Sequence, residues 1–385
     1  MQKLRFLIVT YPREFHSLEI AQALEDRGHE VVLWYGSDFP TVQSASIDIR
    51  DGRTAWELRG PGLEAGRPPF DVVWFRRPTP PVFPKTLHPG DLPVARRETQ
   101  DFLGGLYHLT APGAFWVNPL SSRPRAELKA VQLREAANVG LTIPVTLMSN
   151  DPGRIRAFLD EFPGRTVYKA FYPAQWETGD DLAVLLTSTV GPDDLPEDEI
   201  LRCTPGIFQV RVDKSHELRV TIMGRHVVTA KLRSQESEHT RDDWRGGGAY
   251  LKVEPDTLPP QVEQACFDLM DRLGIVFGAF DFIVTPEGEH VFLEVNPSGQ
   301  FLWVEETCPD LLLLAPMLDF LESRRGDFRW QPTPDPVRHK DYYEVTQKRL
   351  DATDPVHVSP ADVFISPDAD GDSAESSGEP PQEGR

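Results

Sequence analysis

Cysteine is scarce in this chain of 385 residues, and Cys203, Cys266 and Cys308 stand far apart. Their spacing suggests neither a disulfide framework nor a C-x-x-C metal motif, so it fits a reducing cytoplasm. No apolar run approaches the roughly 18 residues that a membrane helix needs. The N-terminus has one brief apolar run and no small-residue cleavage site, so we interpret residues 4–9 as a first buried strand and not as a signal peptide.

Two nucleotide-binding signatures are also missing. The chain contains no G-x-x-x-x-G-K-[ST] motif, and its opening β-α-β pattern lacks the glycine fingerprint of dinucleotide sites. Phosphate binding would therefore depend on cationic side chains and loop amides. The net charge of −20 argues against nucleic acid as a general partner. Residues 351–385 hold nine Asp or Glu residues and a single Arg, and we predict a disordered acidic tail there.

The rest of the composition is typical of a soluble globular protein with two or three domains, with 39% hydrophobic and 10% aromatic residues. The first strand, a helical pattern at 18–30 and an apolar strand at 31–36 form a β-α-β unit, which predicts a parallel sheet. A proline-rich loop follows a later strand at 71–75, and we place the end of this N-terminal domain near residue 120.

The most informative feature is a hairpin pattern whose two apolar strands carry Asp281, Glu294 and Asn296. Acidic residues are poor strand formers and cost free energy when they are buried without partners. If Thr285 pairs with His290 across a four-residue turn, Asp281 falls directly opposite Glu294, where like charges repel. Because side chains two apart share a face, Asn296 joins them.

Two carboxylates and an amide oxygen form a hard, oxygen-only donor set of the kind that Mg²⁺ or Mn²⁺ prefers. A divalent cation would also remove the repulsion between the carboxylates. The alternative is a solvated hairpin face whose acidic side chains never meet, because such short motifs match easily.

The order of the elements resembles the ATP-grasp superfamily over most of residues 121–300. The resemblance is carried by a helix with Lys129 before a T-x-P-x-T strand, by Lys169 in a later strand, and by the acidic hairpin at the end. Between them lie Phe-Gln-Val at 208–210 and Glu-Leu-Arg at 217–219.

Three further stretches resemble the ATP-grasp ligases that crosslink ribosomal peptides, the microviridin-type or graspetide synthetases: NPSGQFLWVEE at 296–306, VWFRRP near residue 75, and DWR at 243–245. The resemblance implies an α/β and α+β protein with the ATP-grasp fold. Its expected parts are an N-terminal parallel-sheet domain (1–120), a small central subdomain (121–206), a C-terminal subdomain that completes the nucleotide cleft (207–330), an extension (331–350) and the acidic tail (351–385).

The resemblance also implies roles for particular residues. Asp281, Glu294 and Asn296 would bind the metal, and Arg219 and Arg233 would stabilise the transferred phosphoryl group. The residues implied in nucleotide binding are Lys129, Lys169, Gln209, Val210, Val212, Asp213 and Lys231. Those implied in substrate binding are Arg76, Arg77, Asp243, Trp244, Arg245, Ser298 and Gln300.

Each role has a plainer alternative. Lys169 could extend its charged end to solvent, and Arg219 and Arg233 could be strand-surface residues. Asp213 could be a turn residue. Residues 243–245 could be a solvated charged loop, and the two arginines at 76–77 could simply cap the edge of their domain.

The implied reaction uses ATP and Mg²⁺, or Mn²⁺, to convert Asp or Glu side chains of a ribosomal precursor peptide into acylphosphates. Thr or Ser hydroxyls would then form esters, and Lys amines would form amides. We expect a peptide partner with a leader and an acidic, hydroxyl-rich core, and no nucleic acid or membrane; a homodimer is open. Two alternatives also remain open: a carboxylate–amine ligase for a small molecule or amino acid, and a non-catalytic homologue that binds nucleotide or peptide.

Overall fold

The computed structural model describes most of the chain. The described residues are 2–65, 69–171, 175–178, 181–184, 187–237, 240, 244, 251–352 and 356–358. None of the helices within these ranges is long and apolar enough to cross a membrane.

The N-terminal domain is built on the predicted parallel sheet. Its elements are β1 (Arg5–Thr10), α1 (Phe15–Asp26), β2 (Glu30–Tyr35), β3 (Ser44–Arg50), β4 (Arg53–Gly60), β5 (Leu63–Ala65), β6 (Val72–Phe75), α2 (Leu92–Thr110) and β7 (Phe115–Val117). The strand order is β2-β1-β6-β7 with every pair parallel, and β3, β4 and β5 form a separate antiparallel sheet. The loops that follow β1, β6 and β7 leave the same edge of the parallel sheet, where α/β folds place their ligands.

The central subdomain is a four-stranded antiparallel sheet with its last two helices packed on one face. Its elements are α3 (Arg123–Ala126), α4 (Lys129–Asn138), β8 (Thr146–Ser149), α5 (Pro152–Glu161), β9 (Thr166–Lys169), β10 (Gln175–Thr178), β11 (Asp181–Val184), β12 (Ser188–Thr189), α6 (Asp198–Cys203) and β13 (Gly206–Val210). The strand order is β12-β9-β13-β8, and β10 and β11 form a separate hairpin.

Strand β13 hydrogen-bonds within this central sheet, between β8 and β9. The sequence placed the start of the C-terminal subdomain at residue 207, inside this strand. The strand remains in the central sheet because Phe208 is buried in an apolar cluster with Ile155, Leu159 and Leu201. The bounds of the three parts otherwise stay a prediction.

The C-terminal subdomain contains a five-stranded antiparallel sheet in the order β16-β15-β14-β17-β18. Its elements are β14 (His216–Met223), β15 (His226–Leu232), β16 (Val253–Asp256), α7 (Pro260–Leu273), β17 (Phe277–Val284), β18 (His290–Asn296), α8 (Leu302–Thr307) and α9 (Leu314–Ser323). One face carries Leu218, Phe280 and Phe292 and packs against α4 and α7. The opposite face carries the charged residues described below.

The extension is an ordered helix, α10 (His339–Asp351), that packs on the N-terminal domain. The His339 Nδ1 lies 2.9 Å from the buried carboxylate of Glu19, and Arg349 pairs with Glu25 at 2.7 Å. These two ion pairs and the aromatic contact of Phe15 with Tyr343 fix the helix against α1.

Part of the predicted disordered tail is also ordered, which corrects that prediction. The helix α10 includes Asp351, and the segment 356–358 contacts the buried carboxylate of Asp38. His357 Nδ1 lies 2.7 Å from Oδ2, and the backbone N–H of Val358 donates to Oδ1 at 2.8 Å. A buried carboxylate needs such donors, and the chain supplies them from a segment that composition alone marked as solvated. Residues 359–385 lie outside the described residues.

Candidate active site

The hairpin of β17 and β18 brings the two predicted metal-binding carboxylates together, with Asp281 directly opposite Glu294. The predicted pairing of Thr285 with His290 is wrong, because His290 pairs with Val284. A β-bulge next to Asp281 shifts the register by one residue and restores the expected alignment beyond it. Bulges of this kind redirect side chains near functional sites.

Each carboxylate has its own cation. Arg219, on the neighbouring strand β14, lies opposite Asp281 and donates from Nη1 to Oδ1 at 2.8 Å. Lys129, at the start of α4, donates to Oε2 of Glu294. Asn296 lies beside them and donates from Nδ2 to Oε1 of Glu294 at 3.2 Å. The repulsion predicted from the sequence is therefore already offset by two side chains.

The donor set fits a magnesium ion. Mg²⁺ is usually bound by one or two carboxylates, with waters and substrate phosphates completing an octahedron. Asp281 and Glu294 would supply the carboxylates, and the side-chain oxygen of Asn296 would be available as a third ligand because that side chain uses its nitrogen toward Glu294. Across the described ranges, no group of three or more His, Cys, Asp or Glu residues offers an alternative metal site.

Three side chains hold the turn that directly follows Asn296. Asn118 donates to the carbonyl oxygen of Pro297 at 2.9 Å, and Arg219 donates from Nη2 to that of Gln300 at 2.8 Å. Arg76 donates from Nη1 to the carbonyl oxygens of Ser298, at 2.6 Å, and Gly299, at 2.9 Å. Side chains therefore bind four consecutive carbonyl oxygens of the turn. Two of these side chains, Arg76 and Asn118, belong to the N-terminal domain.

This arrangement corrects the role implied for Arg76. Its side chain is 0% exposed, so it cannot receive an incoming peptide. Its Nη2 lies 3.2 Å from Oε1 of Glu14 and 3.4 Å from Nδ1 of His16. Burial raises the pKa of Glu14, but Arg76, His16 and two hydrogen bonds from Ser17 outweigh it and lower that pKa to about 2. Glu14 is therefore ionised at neutral pH and offsets the buried guanidinium.

His16, unlike Glu14, is uncharged at neutral pH. Burial is the largest effect on its pKa and lowers it, Glu14 raises it, and Arg76 lowers it further, to about 3. The imidazole is therefore neutral at pH 7 and can accept a hydrogen bond from Arg76 through Nδ1.

Arg77, the next residue, differs from Arg76 in its exposure and in its contacts. It is exposed and has a φ of 46°, a backbone conformation that is strained for a residue with a side chain. Burial raises the pKa of Tyr11 and lowers that of His16, and the nearby charge of Arg77 acts to lower both. Within the described ranges, no hydrogen-bond or ion-pair partner engages its guanidinium.

The central sheet presents a second row of polar side chains. Lys169 donates to Oε1 of Gln209 at 2.9 Å, and Gln209 donates in turn to the hydroxyl of Thr146 at 2.9 Å. Strand pairing places all three on one face together with Met148. Thr146 and Met148 line a cavity of about 500 Å³ that extends to Ala130 in the first turn of α4, next to Lys129.

Three predicted nucleotide-binding residues lie together where β13 ends. Val210, Val212 and Asp213 line a cavity of about 240 Å³ beside the hairpin turn at Thr285. The N–H of Val210 already donates to the carbonyl oxygen of Val145 at 2.9 Å. Among the described residues, none accepts the N–H of Val212.

Two predicted residues do not join the site. Lys231 lies opposite Leu218, whose side chain is buried beneath α7, so it projects from the face opposite to Arg219. Arg233 lies beyond the end of β15 and is bound to Glu254 at 2.8 Å. The two-residue turn between β14 and β15 fixes the strand register, because it pairs Met223 with His226. This register pairs Lys231 with Leu218, so the face of Lys231 could have been predicted from the sequence.

The predicted substrate loop is described only at Trp244, because Asp243 and Arg245 lie outside the described residues. Trp244 stacks on Trp303 of α8, with ring centroids 5.0 Å apart and planes at 22°. The stack ties this part of the chain to the helix that follows the turn at Gln300.

Sequence reasoning missed Asn118 and Glu217. Asn118 follows β7 at the sheet edge where ligands usually bind, and that position was the available signal. Glu217 shares a face with Arg219, accepts from Lys214 at 2.9 Å, and has its pKa raised chiefly by burial. The signal for Glu217 was its position two residues before Arg219 in an apolar strand, which places both side chains on the same face.

Solved structures that share this architecture include three ligases of ribosomal peptides. The macrocyclase MdnB from Microcystis aeruginosa MRC is 31% identical, with a TM-score of 0.70 over 83% of this chain and 99% of that one. An ATP-grasp ligase from Chryseobacterium gregarium, solved with ADP and a leader and core peptide, is 27% identical, with a TM-score of 0.76 over 85% and 100%. The macrocyclase MdnC from Microcystis aeruginosa MRC, solved with its precursor peptide MdnA, is 27% identical, with a TM-score of 0.73 over 83% and 100%.

No family model matches the chain, and neither does any curated protein. The fold and the acidic hairpin define an ATP-grasp ligase. More narrowly, the chain belongs to the ATP-grasp ligases associated with ribosomally synthesised and post-translationally modified peptides.

Proposed function

We propose that this protein uses ATP to activate Asp or Glu side chains of a ribosomal precursor peptide and crosslinks them to Thr or Ser hydroxyls or to Lys amines. The observation that carries the proposal is that Asp281, Glu294, Asn296 and Arg219 meet on one sheet face, where Lys129 of α4 reaches Glu294. The similar ligase from Chryseobacterium gregarium was solved with ADP and with leader and core peptides, which supports the same ligand classes here.

The metal and nucleotide would occupy the space between the two sheets. Asp281, Glu294 and Asn296 would hold Mg²⁺, which supplies charge neutralisation for the phosphate oxygens. Lys129 could contact a phosphate while it stays close to Glu294, and we assign Lys169, on the central sheet, to the phosphates as well. We assign adenine recognition to the backbone around Val210 and Val212, with the N–H of Val212 as donor, and a ribose hydroxyl to Asp213.

The chemistry needs two steps. The γ-phosphoryl group passes to a carboxylate oxygen of the peptide, so the bond to the leaving ADP oxygen breaks as the bond to the carboxylate forms. A hydroxyl or amine then attacks the acyl carbon and loses its proton, and phosphate leaves. Arg219 is bound to Asp281 and Gln300, so its proposed role is to maintain the charge and shape of the site under the transferring group.

Peptide recognition is assigned to the exposed residues around this site. The Arg77 guanidinium is exposed and has no partner among the described residues, which suits it to a substrate carboxylate. Ser298 and Gln300 lie in the turn after the metal ligands, and their side chains are candidates for peptide contacts. Trp244 and its neighbours Asp243 and Arg245 are assigned to the peptide as well, with the stack on Trp303 as anchor.

Trapping with hydroxylamine tests the first step. Hydroxylamine intercepts acylphosphates, so a precursor peptide incubated with the protein, ATP and Mg²⁺ should acquire hydroxamates on Asp or Glu residues, with one ADP formed for each. ADP formation with free amino acids in place of the peptide would favour the small-molecule ligase. Nucleotide binding without any ADP formation would favour the non-catalytic homologue.

A further inference from the structure

The edge of the parallel sheet at which α/β domains usually bind ligands is occupied by the chain itself. Arg76 follows β6 and Asn118 follows β7, and both reach the turn after Asn296. Through this contact the N-terminal domain touches the backbone adjoining the proposed metal ligands. We propose that Arg76 is a positioning residue for the metal site, acting through the carbonyl oxygens of Ser298 and Gly299.

The arginine is suited to this task. A guanidinium has several donors in a rigid plane, so one side chain can bind Ser298, Gly299 and Glu14 together, whereas a lysine amine cannot span the same acceptors. A buried charge is costly unless it is paired and hydrogen-bonded. Glu14 supplies the opposite charge, and the turn supplies two fixed acceptors.

The turn is mechanically linked to Asn296. The N–H of Gly299 donates to the carbonyl oxygen of Asn296 at 3.1 Å, which closes the turn on the ligand residue itself. Gly299 also packs closely on β17, because a Cβ at this position would lie 2.5 Å from the Cβ of Ala279. Ala279 is the residue paired with Asn296. A turn released by Arg76 would therefore shift Asn296 relative to Asp281.

This role differs in its consequences from peptide binding, which the sequence implied for Arg76. A peptide-binding arginine acts on the peptide KM. A positioning arginine acts on metal affinity, and the loss of partners around metal ligands typically costs about 10- to 100-fold in that affinity. It should also act on the mobility of the turn, even without nucleotide or peptide.

The experiment compares Arg76→Met and Arg76→Lys with Arg27→Met. Arg27 is a matched control because it joins the N-terminal domain to α9 through Asp319 and Glu322, each at 2.8 Å, and contacts none of the turn residues. Mn²⁺ binding in the presence of ADP is measured by electron paramagnetic resonance. Hydrogen exchange of the peptide spanning residues 296–303 is measured on the same proteins without ligands.

We expect both Arg76 variants to exchange faster across the turn and to bind Mn²⁺ at least tenfold more weakly, with lysine giving little rescue. Arg27→Met should lower thermal stability and leave both quantities unchanged. Wild-type Mn²⁺ affinity in Arg76→Met would overturn the proposal.

Folding of the Arg76 variants is not essential to the test. If they do not fold, Gly299→Ala displaces the turn without removing a buried charge and should give the same loss of Mn²⁺ affinity; unchanged affinity would overturn the proposal. Because the inference rests on the proposed metal site, a wild-type protein that binds no Mn²⁺ with ADP would overturn both, whereas normal wild-type binding with unaffected variants would overturn only the role of Arg76.

Discussion

Arg219 and Asp281 face each other across β14 and β17, and the guanidinium donates to the carboxylate at 2.8 Å with both side chains less than a tenth exposed. This pair changes the energetics expected for the acidic hairpin. The sequence predicted two repelling carboxylates with a metal between them, and on that basis Glu294→Gln would leave the metal-free protein as stable or more stable. In the structure each carboxylate has a cation, and removal of either acid takes away an attraction.

The two carboxylates should differ in their effect on metal-free stability. Asp281→Asn leaves Arg219 buried without its counter-charge, which should lower the free energy of unfolding by about 3–5 kcal/mol. Glu294→Gln breaks a pair that is about a fifth exposed, so it should cost about 0–1 kcal/mol. Urea unfolding in the presence of a chelator measures both. Equal losses would contradict the burial difference between the two pairs.

Lys169 and Lys231 provide a matched test of which faces bind nucleotide. Lys169→Ala should weaken ATP binding by about tenfold or more, because a charge-assisted hydrogen bond contributes about 1.5–3 kcal/mol. Lys231→Ala should leave ATP affinity unchanged, since its side chain lies on the face opposite to Arg219. Calorimetric titration with a non-hydrolysable ATP analogue gives both affinities. A comparable loss in the two variants would refute this assignment of faces.

Acid should destabilise the protein through His16 before it affects Glu14. The folded pKa of His16 is lowered from 6.5 to about 3, so below pH 6.5 the unfolded chain binds a proton that the folded protein does not. Stability is therefore full above pH 6.5 and is lost toward pH 3 at about 1.4 kcal/mol per pH unit for this group. His16→Gln keeps an acceptor for Arg76 and should make the pH dependence between 6.5 and 4.5 shallower by one proton. An unchanged slope would mean that His16 is protonated in the fold.

Arg77 should affect the peptide and not the nucleotide. If it binds a substrate carboxylate, Arg77→Ala should raise the peptide KM by about tenfold, the loss of one charge-assisted contact, while ATP affinity stays the same. Arg77→Lys should recover part of the loss because the charge is kept. Steady-state ADP formation at varied peptide concentration measures the effect, and a loss confined to ATP affinity would move Arg77 to the nucleotide site.

The sequence allowed the pairing of Asp281 with Glu294 to be predicted because strand alternation and a short turn restrict the register to few choices. The burial of Arg76 and the exposure of Arg77 could not be predicted in this way. Whether an arginine at a strand end is buried depends on what packs over it, and here the covering turn lies more than 200 residues away in the chain. The ordered segment around His357 was missed for the same reason, since composition does not reveal a buried partner such as Asp38.

The central claim is that the acidic hairpin supports metal-dependent ligation of a peptide. The most direct measurement is the intact mass of a ribosomal precursor peptide after incubation with the protein, ATP and Mg²⁺. The account predicts the loss of one water for each crosslink, abolished by omission of Mg²⁺ and by Glu294→Gln, which folds normally but lacks a ligand charge. Wild-type water loss catalysed by the Glu294→Gln protein would contradict the metal assignment and with it the proposed mechanism.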